Sequence, residues 1–207
     1  CGSYAQCAII GYAVCEIPMF FTWRFLIGPI LRLMGFDDAV IIIAQDYVWV
    51  TVAVNMVMGL NEGILDLLEV VEHERYANIM YCLTYAVEVG CVALVAVKPD
   101  ANLVILGLVM LVIQALFFFL NLVIPNKMGW FARFEEGLFG KFSCSNLPVV
   151  KELFSVAFPL AIGSLLAYAE WEVLTVFAAV LGPAEAATWA VLGFVWDVFE
   201  STTEAIG

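Results

Sequence analysis

The stretch "ANLVILGLVMLVIQALFFFLNLVI" (101–124) decides the fold, because it is apolar nearly throughout and carries no charge. A helix of about 20 residues, rising about 1.5 Å per residue, spans roughly 30 Å of hydrocarbon. Barrel strands would be half that length and would alternate polar with apolar. The rest of the chain resembles this segment. Sixty-four per cent of the residues are hydrophobic and the mean hydropathy is +1.01, whereas soluble domains are nearer half apolar. The expected fold is therefore all-α, a polytopic transmembrane helix bundle.

Working outward, the punctuation predicts six helices. Helix one covers about 4–27, broken by Gly28-Pro29 and Gly35; helix two follows Asp37-Asp38, which suit an N-cap and a first-turn acid. It runs over about 39–71, longer than a bilayer needs, with Glu62, Asp66, Glu69 and Glu72 gathered at its end. Helix three covers about 75–97 and helix four about 101–124, stopping at Pro125. After the mixed segment "PNKMGWFARFEEGLFGKFSCSN" (125–146), helix five starts near Pro148 and runs to about 181, with a kink expected at Pro159. Gly182-Pro183 makes a hairpin, and helix six follows from about 184.

The long mixed segment reads as an interfacial linker, with its aromatics at headgroup level. It divides the chain into residues 1–124, four helices of an incomplete N-terminal lobe; 125–147, the linker; and 148–207, the first two helices of a second lobe. Basic residues counted by side put Arg75, Lys127, Arg133, Lys141 and Lys151 together against Arg24, Arg32 and Lys98. That bias predicts a cytoplasmic linker and 72–75 turn, with the Gly182-Pro183 hairpin outside. Both ends, "CGSYAQ" and "TTEAIG", read as cuts within a longer polytopic protein.

A net charge of −12 argues against nucleic acid and against anionic lipid surfaces. Cys1, Cys7, Cys15, Cys82, Cys91 and Cys144 form no CxxC pair, so they read as small apolar residues. His73, the lone histidine, reads as a loop residue, and no metal site is expected.

The chemistry sits in polar residues within apolar helices, which are costly in lipid and therefore satisfied or used. In "AYAEWEVLTVFAAVLG" (167–182), Ser164, Tyr168, Glu172 and Thr175 share one face of helix five, while Glu170 lies about 200° round from Glu172. Asp197, Glu200 and Glu204 share one face of helix six, with no Lys or Arg in 152–207 to neutralise them. Desolvated, crowded carboxylates favour their neutral form, so this arrangement suits a proton or cation seat. Two weaker stripes lie upstream. Asn55, Gly59, Glu62, Asp66 and Glu69 read mainly as a solvated face of helix two; Asn78, Tyr81, Tyr85 and Glu88 line helix three. Glu16 is a candidate to share a proton with Glu88, and Gln114 and Asn121 form a face suited to interhelical hydrogen bonds.

"FPLAIGSLLAYAEWEVLTVFAAVLGPAEAATWAVL" (158–192) resembles the seventh helix and the start of the eighth in multidrug and toxin extrusion (MATE) transporters. The resemblance rests on Pro159, Glu172, the Leu181-Gly182 end and the "AEAA" opening at 184–187. "GPILRLMGFDDAVIIIAQDYVWV" (28–50) is similar to that family's link between helices three and four. The resemblance implies helices three to eight of a two-lobe, 6+6 transporter fold. It also implies proton-coupled efflux of an organic, cationic solute, with Glu172 at the family's proton-coupling position. Tyr168, Thr175, Glu170, Asp197 and Glu200 join Glu172 as expected binding residues on the stripe argument. No cofactor beyond a coupling H⁺ or Na⁺ is expected, and no enzyme activity. The expected setting is a multi-pass protein of a plasma or vacuolar-type membrane, monomeric at full length. The alternatives are Na⁺-coupled efflux and a lipid-linked oligosaccharide flippase, which would want basic residues in its cavity.

Overall fold

The computed structural model describes the backbone of residues 2–132, 137 and 147–204, and their side chains except at 167, 170, 172 and 197–204. The chain is an all-α bundle. Its helices are α1 (Gly2–Leu33), α2 (Asp38–Val70), α3 (Glu74–Ala96), α4 (Leu103–Lys127), α5 (Leu147–Leu181) and α6 (Pro183–Glu204). Among the described residues, five segments are long and apolar enough to cross a membrane: α1 to α4, and Leu147–Leu166 of α5.

Three helices stop in the same way. After α1, Phe36 N–H reaches Leu31 C=O and Gly35 N–H reaches Arg32 C=O, with Gly35 at φ 82°. After α2 the bonds are His73 to Leu68 and Glu72 to Glu69, with Glu72 at φ 68°. After α4 they are Trp130 to Pro125 and Gly129 to Asn126, with Gly129 at φ 74°. This paired-bond ending needs one residue in the left-handed region, usually glycine. It explains two corrections. Helix one does not break at Gly28-Pro29 but runs through to Leu33, and helix four passes through Pro125 to Lys127. Proline is tolerated inside membrane helices because neighbouring groups absorb the lost backbone bond, so the left-handed glycine, not the proline, sets each end. At the opposite end of α4, Asn102 caps the helix by accepting from Ile105 N–H at 2.8 Å. Asp37 is the N-cap of α2, as expected, but its side chain makes no capping bond.

Helix α2 is the centre of the bundle, packed against α1, α3 and α4. Gly107 of α4 permits the α2–α4 approach, since a Cβ there would lie 2.8 Å from Val50 Cγ1. Gly59 does the same for α1, where Tyr12 Oη would stand 2.2 Å from an added Cβ. Small residues let membrane helices come close. The α1–α2 connection is bracketed by an Arg32–Asp38 ion pair at 3.6 Å and by Arg24 over the Trp49 ring at 5.5 Å.

The apolar core, Ile64, Leu65, Leu68, Ala77, Met80, Ile113, Phe117 and Phe131, lies near the α2–α3 turn. At that turn His73 stacks on Trp130 with ring centroids 4.1 Å apart, and Tyr76 meets the same ring edge-on. Outside, large apolar side chains such as Phe25, Val89, Val112 and Phe119 are exposed, while buried positions include Asn61, Thr84, Glu88, Gln114 and Asn121. An apolar exterior around a partly polar interior suits a lipid solvent. Helix α5 packs on α1, where Tyr4 Oη donates to Glu152, and α6 packs on α5.

Candidate functional site

The two upstream stripes face each other. On α2, Glu62 and Asp66 lie four residues apart; on antiparallel α3, Tyr81 and Tyr85 do the same. Residues at this spacing share a helix face, so each step down α2 matches a step up α3. Tyr81 Oη donates to Asp66 Oδ1 at 3.0 Å, and Tyr85 Oη donates to Glu62 Oε1 at 3.3 Å. These pairs form two rungs of a carboxylate–phenol ladder. Glu62 is half-buried rather than on a fully solvated face, and Asp66 is exposed.

One turn beyond the second rung, Glu88 is 9% exposed and accepts from Gln114 Nε2 of α4 at 2.8 Å. Glu88 lies about 21 Å along α3, a helix of 23 residues and hence about 35 Å long. That depth is within the hydrocarbon if α3 crosses a bilayer. The expected Glu16–Glu88 pair is replaced by this α3–α4 pair. Glu16 instead lines an apolar hollow with Phe20, Val52 and Met56. A second polar tie binds the same helices: Asn121 Nδ2 donates to Asn61 Oδ1 at 2.8 Å, and Tyr76 Oη donates to Asn121 Oδ1 at 3.2 Å. Gln114 and Asn121 thus make the interhelical bonds that their shared face suggested.

Between these groups lies a cavity of about 10 Å³, walled by Met58, Asn61, Glu62, Tyr81, Thr84, Tyr85 and Gln114. Gln114 Oε1 is buried with no hydrogen-bond partner. The ladder acids and Glu88 make no ion pair with Lys or Arg among the described residues.

On α5 and α6 the picture is partial. The side chains of Glu170, Glu172, Asp197 and Glu200 lie outside the described residues. Tyr168 is exposed. Thr175 Oγ1 donates to Trp171 C=O at 2.8 Å and accepts from Trp189 Nε1 at 3.0 Å. Trp171 in turn packs near Trp189 and Trp196, at centroid distances of 5.3 and 6.1 Å. Thr175 therefore helps clasp α5 to α6, a partner that the helical-wheel reading did not anticipate. No group of three or more potential metal ligands occurs among the described residues.

No protein-family model matches the chain, and neither a curated protein nor a solved structure matches it.

Proposed function

We propose that the chain is part of a proton-coupled secondary transporter that exports an organic, cationic solute. One observation carries this reading most directly: Glu88, deep in an apolar bundle, is held by a neutral amide rather than by a cation. Ionisable residues at such depth are costly and mark ion or proton pathways. An amide partner leaves the carboxyl free to gain and lose a proton, where an arginine would clamp it in one charge state. The resemblance to the MATE family supports the export direction and adds Glu172 as a second proton seat, competing with the cationic solute for one carboxylate. In that reading the two lobes rock about a central cavity, opening alternately to each side.

The test is export of a fluorescent organic cation from vesicles holding the full-length protein, driven by a pH gradient. Glu88→Gln and Glu172→Gln are each expected to lower the proton-driven rate about tenfold or more, as when an essential proton-transfer group is removed. Wild-type rates in both variants would reject the mechanism.

A further inference from the structure

The wall of the cavity between α2, α3 and α4 has spent most of its hydrogens elsewhere. Thr84 donates to Met80 C=O at 2.7 Å, Tyr81 to Asp66 and Tyr85 to Glu62. Their hydrogens are committed, so toward the cavity they line with Glu62 these hydroxyls can act only as acceptors. Gln114 Oε1 is an acceptor without a donor, on a residue 1% exposed. Asn61 is the exception: its oxygen already accepts from Asn121, which leaves its amide hydrogens to give. A volume of about 10 Å³ is near the smallest that holds one water, and a buried water wants two to four polar partners. A bare cation would suit the acceptors but not the Asn61 amide; a water can donate to the former and accept from the latter.

We propose that this cavity is the seat of one resident water molecule, which donates to Gln114 Oε1 and to Glu62. That water joins the Glu62–Tyr85 rung to the Gln114–Glu88 pair. The resulting hydrogen-bonded chain runs from half-buried Glu62 to Glu88. Resting on the reading of Glu88 as a proton seat, it makes Glu62 the group from which Glu88 is loaded. The step is a proton transfer alone: once protonated, Glu62 gives its proton to the water, the water gives one to Gln114 Oε1, and Gln114 Nε2 gives one to Glu88. The imidic form of Gln114 then returns to the amide.

Two measurements on the full-length protein test the site and the route separately. An experimental map that resolves waters is expected to show a single peak within hydrogen-bond distance of Gln114 Oε1 and Glu62. An empty cavity, with that oxygen turned onto the Glu88 carboxyl instead, would overturn the proposal. So would a sodium-dependent rise in thermal midpoint that vanishes in Gln114→Leu. For the route, the carboxylic C=O infrared band that disappears in Glu88→Gln reports Glu88 after a pH jump. Thr84→Val keeps the space and is expected to leave the protonation rate within about twofold; Thr84→Ile fills it and is expected to slow the rate about tenfold or more. Equal rates in the two variants would refute the route. Absence of any Glu88 band would instead reject Glu88 as a proton seat, with the map still deciding whether the water is there.

Discussion

Glu88 of α3 accepts one hydrogen bond of 2.8 Å from Gln114 Nε2 of α4, and Gln114 Oε1 is left without a donor among the protein groups. This asymmetry makes the pair informative about stability as well as proton chemistry. Gln114→Leu strands the Glu88 carboxyl and is expected to cost about 1–3 kcal/mol, the penalty for a buried polar group without its partner. Glu88→Leu with Gln114→Leu removes both groups and should recover most of that loss. Glu88→Gln should stay within about 1 kcal/mol of wild type, because two amides can still pair. Thermal unfolding of the full-length protein in detergent, run as a double-mutant cycle, checks all three values.

Asn121 is fully buried and serves two partners, Asn61 and Tyr76, on two other helices. Asn121→Leu keeps the volume but leaves a carbonyl oxygen and a phenol unserved inside the bundle. A loss of about 2–3 kcal/mol is expected, larger than for a typical single hydrogen bond. Adding Asn61→Leu should not double the loss, since both changes remove the same bond. Denaturant midpoints of the single and double variants measure the coupling.

Gly59 lies where an added Cβ would collide with Tyr12, 2.2 Å from the hydroxyl and 2.5 Å from Cζ. Gly59→Ala is expected to push α1 from α2 and destabilise by about 1–3 kcal/mol. It also breaks the bond from Tyr12 Oη to Asn55 C=O. Gly63, one turn on and with open space around it, is the control: Gly63→Ala should be neutral or stabilising, by up to about 1 kcal/mol. Paired unfolding curves separate the two outcomes.

Glu72 occupies the left-handed position that Gly35 and Gly129 hold in the other two helix endings. A side chain there costs about 1–2 kcal/mol, partly offset by glycine's greater freedom when unfolded. Glu72→Gly should therefore stabilise by about 0.5–1 kcal/mol, and Glu72→Val should destabilise. The thermal midpoint of each variant reads the sign directly.

Much of the architecture was legible before any coordinates. The 101–124 run had to be a membrane-length helix, because its length and lack of charge leave no other way to satisfy its backbone in lipid. The α2, α3 and α6 starts lay within a residue or so of their signals. The misses share a cause. Gly28-Pro29 and Pro125 carry the residue types that end helices in water, yet in α1 and α4 they sit inside. What ends those helices is a pair of backbone bonds closing on Gly35 and Gly129, a geometry that single-residue propensity does not encode. At the candidate site, the Tyr81–Tyr85–Glu88 and Glu62–Asp66 stripes were visible as periodicity, but each was visible only as one face of one helix.

By itself, the sequence determined that the chain is helical and apolar enough to cross a membrane several times, and which polar residues share a helix face. Composition and period suffice for that, because both act within one segment. Which stripes meet was decided only by the tertiary structure. The antiparallel register of α2 and α3 brings Asp66 to Tyr81 and Glu62 to Tyr85, and the close approach at Gly107 seats α4 so that Gln114, rather than Glu16, reaches Glu88. Partner choice between distant segments depends on how helices pack, and that is a property of the whole bundle, not of any one helix.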